Sequence, residues 1–207
     1  MIKVGVTGAI GSGKTTVCRI WEQLGAAIYF ADDEAKKLMV TDEKIRASLT
    51  QTFGPDTYTS DGSLNKPHLI REAFEKGRVA ELNAIVHPAV AAGFVTFCRK
   101  SEKQGVSVVV KEAALLLNNG RPKNLDIIVI VESDRNERLK RVVNRDSVDD
   151  SKFNDRDEKQ PDFERLHHLA DEILLNNGTL EELEEKSSKL FKKIHSFNLQ
   201  NRSSFPR

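Results

Sequence analysis

The sequence predicts an α/β protein: a three-layer fold around a five-stranded parallel sheet. Three observations carry this. Five short apolar runs are continuous rather than alternating, helical patterns lie between them, and a glycine-rich turn joins the first run to the first helix. At 207 residues, 39% hydrophobic and 30% charged, the chain suits one large domain or a core with one insertion. The formal net charge of +1 supplies no overall field toward nucleic acid or a membrane, so neither partner is expected. No apolar run in the sequence reads as a membrane span. Two cysteines, Cys18 and Cys98, make neither a disulfide framework nor a zinc spacing. The expectation is a cytoplasmic protein, a monomer or weak homo-oligomer.

The strands are expected at Ile2–Thr7, Ala27–Phe30, 106–110, 126–131 and Glu172–Leu175. Val108-Val109-Val110 and Ile127-Ile128-Val129-Ile130-Val131 have no polar face, as in a sheet covered on both sides. A first helix over 14–24 stops before Gly25. A helix over 88–103 takes Pro88 as its first residue, a favourable position for proline. A third covers 135–144. The last opens at Thr179 with Glu182 three residues on, a capping box, and its apolar face is Leu180, Leu183, Leu190, Phe191 and Ile194. The interval 32–104 is too long for one crossover and reads as a helical insertion carrying a second binding surface. The polar stretch 146–162 reads as a lid, and 196–207 as a flexible tail. The nucleotide-binding core is then 1–31 with 105–195.

Gly8-Ala9-Ile10-Gly11-Ser12-Gly13-Lys14-Thr15 matches the Walker A pattern in full, with a strand before it and a helix after it. Glycines let the backbone turn N–H groups toward phosphate oxygens, and the helix N-terminus adds partial positive charge. Lys14 is expected on the β- and γ-phosphates and the Thr15 hydroxyl on Mg²⁺, with Thr16 completing the nucleotide-binding run. The fold is therefore expected to be a P-loop NTPase fold, with ATP as co-substrate.

Asp32 follows the second strand, at the sheet end where ligands of open α/β folds bind. Two readings stand side by side: a base that orients an accepting hydroxyl and takes its proton, or a helix N-cap. Glu112 ends the third strand, where a carboxylate could hold the water shell of Mg²⁺ or stand as an ordinary strand-end acid. Arg138, Arg141 and Arg145 share one helix face and Arg135 precedes them. They read either as a clamp on a triphosphate or as a solvated basic face.

Further segments join these. Phe30-Ala31-Asp32, Phe53-Gly54, Asp61-Gly62-Ser63-Leu64-Asn65-Lys66, Leu82-Asn83-Ala84-Ile85-Val86-His87-Pro88, Arg141 with Arg145-Asp146, Gln160, Ala170-Asp171 and Asn176 with Gly178 occur in that order. Over roughly residues 2–178 this set resembles the dephospho-coenzyme A kinase family. The resemblance implies transfer of the γ-phosphoryl group of ATP to the ribose 3′-hydroxyl of dephospho-coenzyme A, giving coenzyme A and ADP. It implies Asp32 as catalytic base, Lys14, Thr15, Arg141 and Arg145 on the ATP phosphates, and Asn176 near the adenine. The acceptor side is assigned Asp32, Lys66, His87 and Glu112. The sequence departs from the family pattern at Phe30, where an acid is common, at Lys66 (arginine), at Ala114 (proline) and at Asn118 (glutamate).

Other classes fit less well. A GTP-driven switch would need an Asn-Lys-x-Asp segment, which is missing. A P-loop kinase with a nucleoside or nucleotide acceptor, or a non-catalytic nucleotide-binding protein, shares the phosphate loop but not the ordered motifs.

Overall fold

The structure, a computed structural model, describes residues 1–146 and 149–202, with side chains through residue 196. Two residues of the expected lid (147 and 148) and the last five of the expected tail lie outside the described residues. The chain forms two compact units: Phe30–Arg99, and Met1–Tyr29 together with the described residues from Lys100 onward.

The larger unit is built on strands β1 (Ile2–Thr7), β2 (Ala27–Phe30), β3 (Val108–Glu112), β4 (Ile127–Glu132) and β5 (Glu172–Leu175). They form one parallel sheet in the order β2-β3-β1-β4-β5. Val4 of β1 stands between Val110 of β3 and Ile127 of β4. Val4, Val6, Val108, Val109, Val110 and residues 128–131 are all buried, which is why these runs lack a polar face. β3 and β4 each begin and end one or two residues later than their apolar runs suggest, because the pairing extends into Lys111-Glu112 and Glu132.

Helix α1 (Lys14–Gln23) follows β1, and α8 (Leu180–Arg202) packs on it. Trp21 of α1 lies 5.8 Å from the Phe191 ring, and its indole N–H donates to the carbonyl of Ser187 at 2.9 Å. Burying an indole requires such a partner for its one polar atom. On α8 the expected apolar face holds at Leu183, Phe191 and Ile194. Leu180 is 55% exposed, because it sits at the helix start before the packed turns begin. Thr179 caps α8, its hydroxyl accepting from the N–H of Glu182 at 3.3 Å. The helix runs on to Arg202, further than the polar composition suggests. Each added residue propagates an existing helix for one hydrogen bond, without a new nucleus. Helix α6 (Arg135–Asp146) follows β4, and α7 (Asp150–Asp157) occupies the stretch expected to be a lid.

The smaller unit is helical: α2 (Ala31–Thr41), α3 (Glu43–Phe53), α4 (Lys66–Leu69), a π-helical segment Ile70–Glu75, and α5 (Val79–Lys103) through most of its length. Asp42 caps α3 by accepting from the N–H groups of Lys44 (2.9 Å) and Ile45 (3.1 Å). His68 is buried, with Nε2 2.8 Å from the Phe53 carbonyl and Nδ1 3.1 Å from the Arg71 guanidinium. A carbonyl only accepts and a guanidinium only donates, so this arrangement satisfies a neutral ring protonated on Nε2.

One expectation is overturned here. Pro88 does not begin a helix: α5 starts nine residues earlier, at Val79, and runs through the proline. The buried positions Leu82, Val86, Val90, Phe94 and Cys98 recur every four residues across it. Burial of these side chains, at about 1.5–3 kcal/mol for each large one, outweighs the roughly 3 kcal/mol that an interior proline costs. Among the described helices α5 is also the one with the length and apolar composition to cross a bilayer, which the sequence reading did not anticipate. In the structure the stripe from Leu82 to Cys98 is buried, while other apolar positions of the helix, Val95 among them, are exposed.

Candidate active site

The turn between β1 and α1 is shaped by glycine where nothing else fits. Gly8 has φ +145°, and a Cβ there would lie 2.1 Å from the Val131 carbonyl oxygen. Gly13 has φ +102°, and its Cβ would fall 2.4 Å from the side-chain nitrogen of Asn176. Both positions combine a backbone conformation costly for L-residues with contact distances that no side chain satisfies.

The carbonyl oxygens of this turn are held by donors one after another. Lys14 Nζ donates to Gly8 (2.8 Å) and Ala9 (3.1 Å). The Arg138 guanidinium donates to Ile10 (3.3 Å) and that of Arg141 to Gly11 (3.5 Å). Asn176 Nδ2 donates to Ser12 at 2.8 Å, and the N–H of Val17 to Gly13 at 3.0 Å. The N–H groups of Ile10 and Ser12 donate to Gln160 (2.6 Å) and Ala9 (3.1 Å), so it is the N–H groups at the start of α1, with the cations, that the turn presents to an anion.

The cleft at that place has a volume of about 240 Å³ and is lined by Gly11, Gly13, Lys14, Thr15, Thr16, Arg141, Val142 and Arg145. Its charged lining is entirely cationic. Arg141 is fixed there by the Ser133 hydroxyl (3.0 Å) and the Asn176 carbonyl (3.0 Å). Arg145 pairs with Asp146 at 2.7 Å, and this hydrogen bond holds the Asp146 carboxyl below and the Arg145 guanidinium above their ordinary values. Arg156 reaches the same carboxylate at 3.2 Å. Arg145 is therefore shared with an acid, whereas Arg141 is braced by neutral groups.

Asn176 is buried, and its amide is spent on Ser12 and, at 3.4 Å, on Arg141. The side chain is a strut of the phosphate loop. Glu112 is 7% exposed at the end of β3, level with Val6 of β1, and not an ordinary exposed strand-end acid. Burial, followed by the Glu112 charge, pushes the Cys18 thiol well above its usual range. Thr15 is exposed in the first turn of α1. Among the described residues no three His, Cys, Asp or Glu side chains gather to hold a metal, so a cation here would need phosphate oxygens besides Thr15.

The remaining expected residues belong to the smaller unit. Asp32 is exposed in the first turn of α2. The N-cap is Phe30, two residues earlier, so the capping alternative for Asp32 does not hold. Lys66 is exposed as the first residue of α4, and His87 is exposed within α5. Sequence reasoning missed Ser133, Asp157 and any function for Gln160. Ser133 and Asp157 lie in polar stretches without periodicity, and only the fold brings all three to the loop.

A glycine-rich phosphate loop, with a lysine and a braced arginine at the edge of a parallel sheet, defines a P-loop kinase. The family model described as Dephospho-CoA kinase matches residues 2–182. The chain belongs to the dephospho-CoA kinase family. It is 41% identical over 192 residues to the dephospho-CoA kinase of Salinibacter ruber, covering 92% of this chain and 96% of that protein. It is 35% identical to that of Chlorobium chlorochromatii, covering 92% of each. The crystal structure of TT1252 from Thermus thermophilus matches with a TM-score of 0.79 at 28% identity, over 93% of this chain and 97% of that one.

Proposed function

We propose that this protein phosphorylates the ribose 3′-hydroxyl of dephospho-coenzyme A with ATP, giving coenzyme A and ADP. The observation that carries the nucleotide half is the cationic cleft at the start of α1, where Lys14 and Arg141 are held beside the loop's backbone. Membership of the dephospho-CoA kinase family carries the acceptor half.

In this reading Gly8–Thr16 and Lys14 bind the triphosphate, and Arg141 neutralises charge on the transferring group. Arg145 contributes after parting from Asp146. Asp32 orients the hydroxyl and takes its proton as the new oxygen–phosphorus bond forms and the bond to the β-phosphate oxygen breaks. Lys66, His87 and Glu112 serve the acceptor. Asn176 acts by holding Ser12 and Arg141 rather than through its side chain on the adenine. Thr15 is the residue that would hold Mg²⁺, which would lower the negative charge on the phosphates. The helical unit would present the acceptor and the 146–162 stretch would act as lid. Two buried thiols, Cys18 and Cys98, fit a reducing cytoplasm.

ADP release, measured across dephospho-coenzyme A, adenosine, nucleoside monophosphates and shikimate, tests the reading. Turnover confined to dephospho-coenzyme A is expected. Turnover with another acceptor alone would replace the substrate.

A further inference from the structure

Ile10, the third residue of the phosphate loop, is gripped at both ends of its backbone by two distant side chains, Gln160 and Arg138 of α6. Its N–H donates to Gln160 Oε1 at 2.6 Å. A peptide N–H only donates, so the side-chain oxygen must face it and the orientation of this amide follows from chemistry. Its carbonyl accepts from Arg138 at 3.3 Å, and Arg138 is itself ion-paired with Asp157. That pair is largely buried, with Arg138 12% and Asp157 15% exposed. Asp157 ends α7, and its carbonyl accepts from the N–H of Gln160 at 3.0 Å, so the two residues are set in one turn. Beneath them Phe153 of α7 is fully buried, with the Arg135 and Arg138 guanidinium groups 5.5 and 5.7 Å from its ring centre.

We propose that Gln160 is a positioning residue for phosphate transfer. Acting through Ile10, it fixes the first half of the phosphate loop and ties it to α7. The inference rests on the phosphate-loop reading above. Lys14 secures Gly8 and Ala9, and Gln160 secures the next residue. Ser12 donates its N–H back to the Ala9 carbonyl at 3.1 Å, and the N–H groups at the start of α1 that follow inherit their aim from this anchor. Loss of one hydrogen bond of this kind is worth about three- to tenfold in an equilibrium. It should fall on the nucleotide and not on the acceptor.

The test uses the full chain with Gln160→Met, which keeps the length and removes the acceptor atom, and Gln160→Glu, which keeps an oxygen but adds charge. Backbone amide exchange at Ile10 is followed by NMR without nucleotide, and KM is measured separately for ATP and for dephospho-coenzyme A. Expected for Gln160→Met are faster exchange at Ile10 and an ATP KM raised about three- to tenfold, with the acceptor KM unchanged. Gln160→Glu should restore slow exchange at Ile10 while ATP KM stays high, because it adds a negative charge against the backbone of the loop that binds an anion. Unchanged exchange and ATP KM in Gln160→Met would overturn the proposal. So would a parallel rise of both KM values with loss of protection throughout α6 and α7, which would make Gln160 merely structural. If wild-type protein fails to bind ATP, the phosphate-loop reading falls, and the exchange measurement still decides whether Gln160 holds Ile10.

Discussion

Asn176 donates its side-chain N–H to the carbonyl of Ser12 at 2.8 Å, joining two residues 164 positions apart in the chain. The same residue receives Arg141 on its backbone oxygen. One buried amide thus sets the crest of the phosphate loop and the arginine beside it.

Asn176→Asp keeps the shape and removes the donor, turning a carboxylate oxygen toward a carbonyl oxygen. The cost expected for a buried group left without its partner is about 1–3 kcal/mol. A thermal melt should show a lower Tm, and the ATP KM should rise. A variant with wild-type Tm and KM would show that the strut carries no load.

Lys14→Ala removes the cation that lies against Gly8 and Ala9. Turnover should fall by on the order of 10²–10³ or more, by analogy with loss of one preorganised donor, while circular dichroism stays that of the folded chain. Normal ADP release from this variant would contradict the phosphate-loop assignment.

Asp32→Asn retains size and hydrogen bonding but cannot take a proton. If Asp32 is the base, kcat should drop by roughly 10²–10⁴ with little change in acceptor KM. An altered acceptor KM at unchanged kcat would make Asp32 a binding residue.

Cys18 supplies a pH prediction. Burial first, and the Glu112 charge second, raise its thiol above the ordinary value of 9.0. In the unfolded chain the thiol ionises near that ordinary value, whereas in the folded protein it stays protonated. Stability is therefore fully present below pH 9 and falls as the pH rises beyond it. Thiol titration with a chromogenic disulfide should find neither Cys18 nor Cys98 reactive in the native protein and both reactive in denaturant. Rapid native labelling would contradict their burial.

Much of this was legible in the residues, and what was not has a physical cause. The bounds of β1, β2 and β5 follow from apolar runs ended by glycine, aspartate or asparagine, and the loop's residue types announce its chemistry. The start of α5 was hidden because proline signals a helix start locally, while the stripe from Leu82 to Cys98 decides the matter through packing. Arg138 and Arg141 look alike three residues apart on one helix. Only the fold gives the first an acid, Asp157, and the second the neutral groups of Ser133 and Asn176. Gln160 and Asp157 sit in a polar stretch whose partners are fixed by tertiary contact, which no local pattern encodes.

Trp21 is the sole indole in the chain and is sealed between α1 and α8. It lies seven residues, about two helical turns, beyond Lys14 on the helix that the phosphate loop begins. The protein thus carries its own optical gauge at the back of that helix. Its ultraviolet emission, shielded from water in the native state, will shift to the red when α8 lifts away.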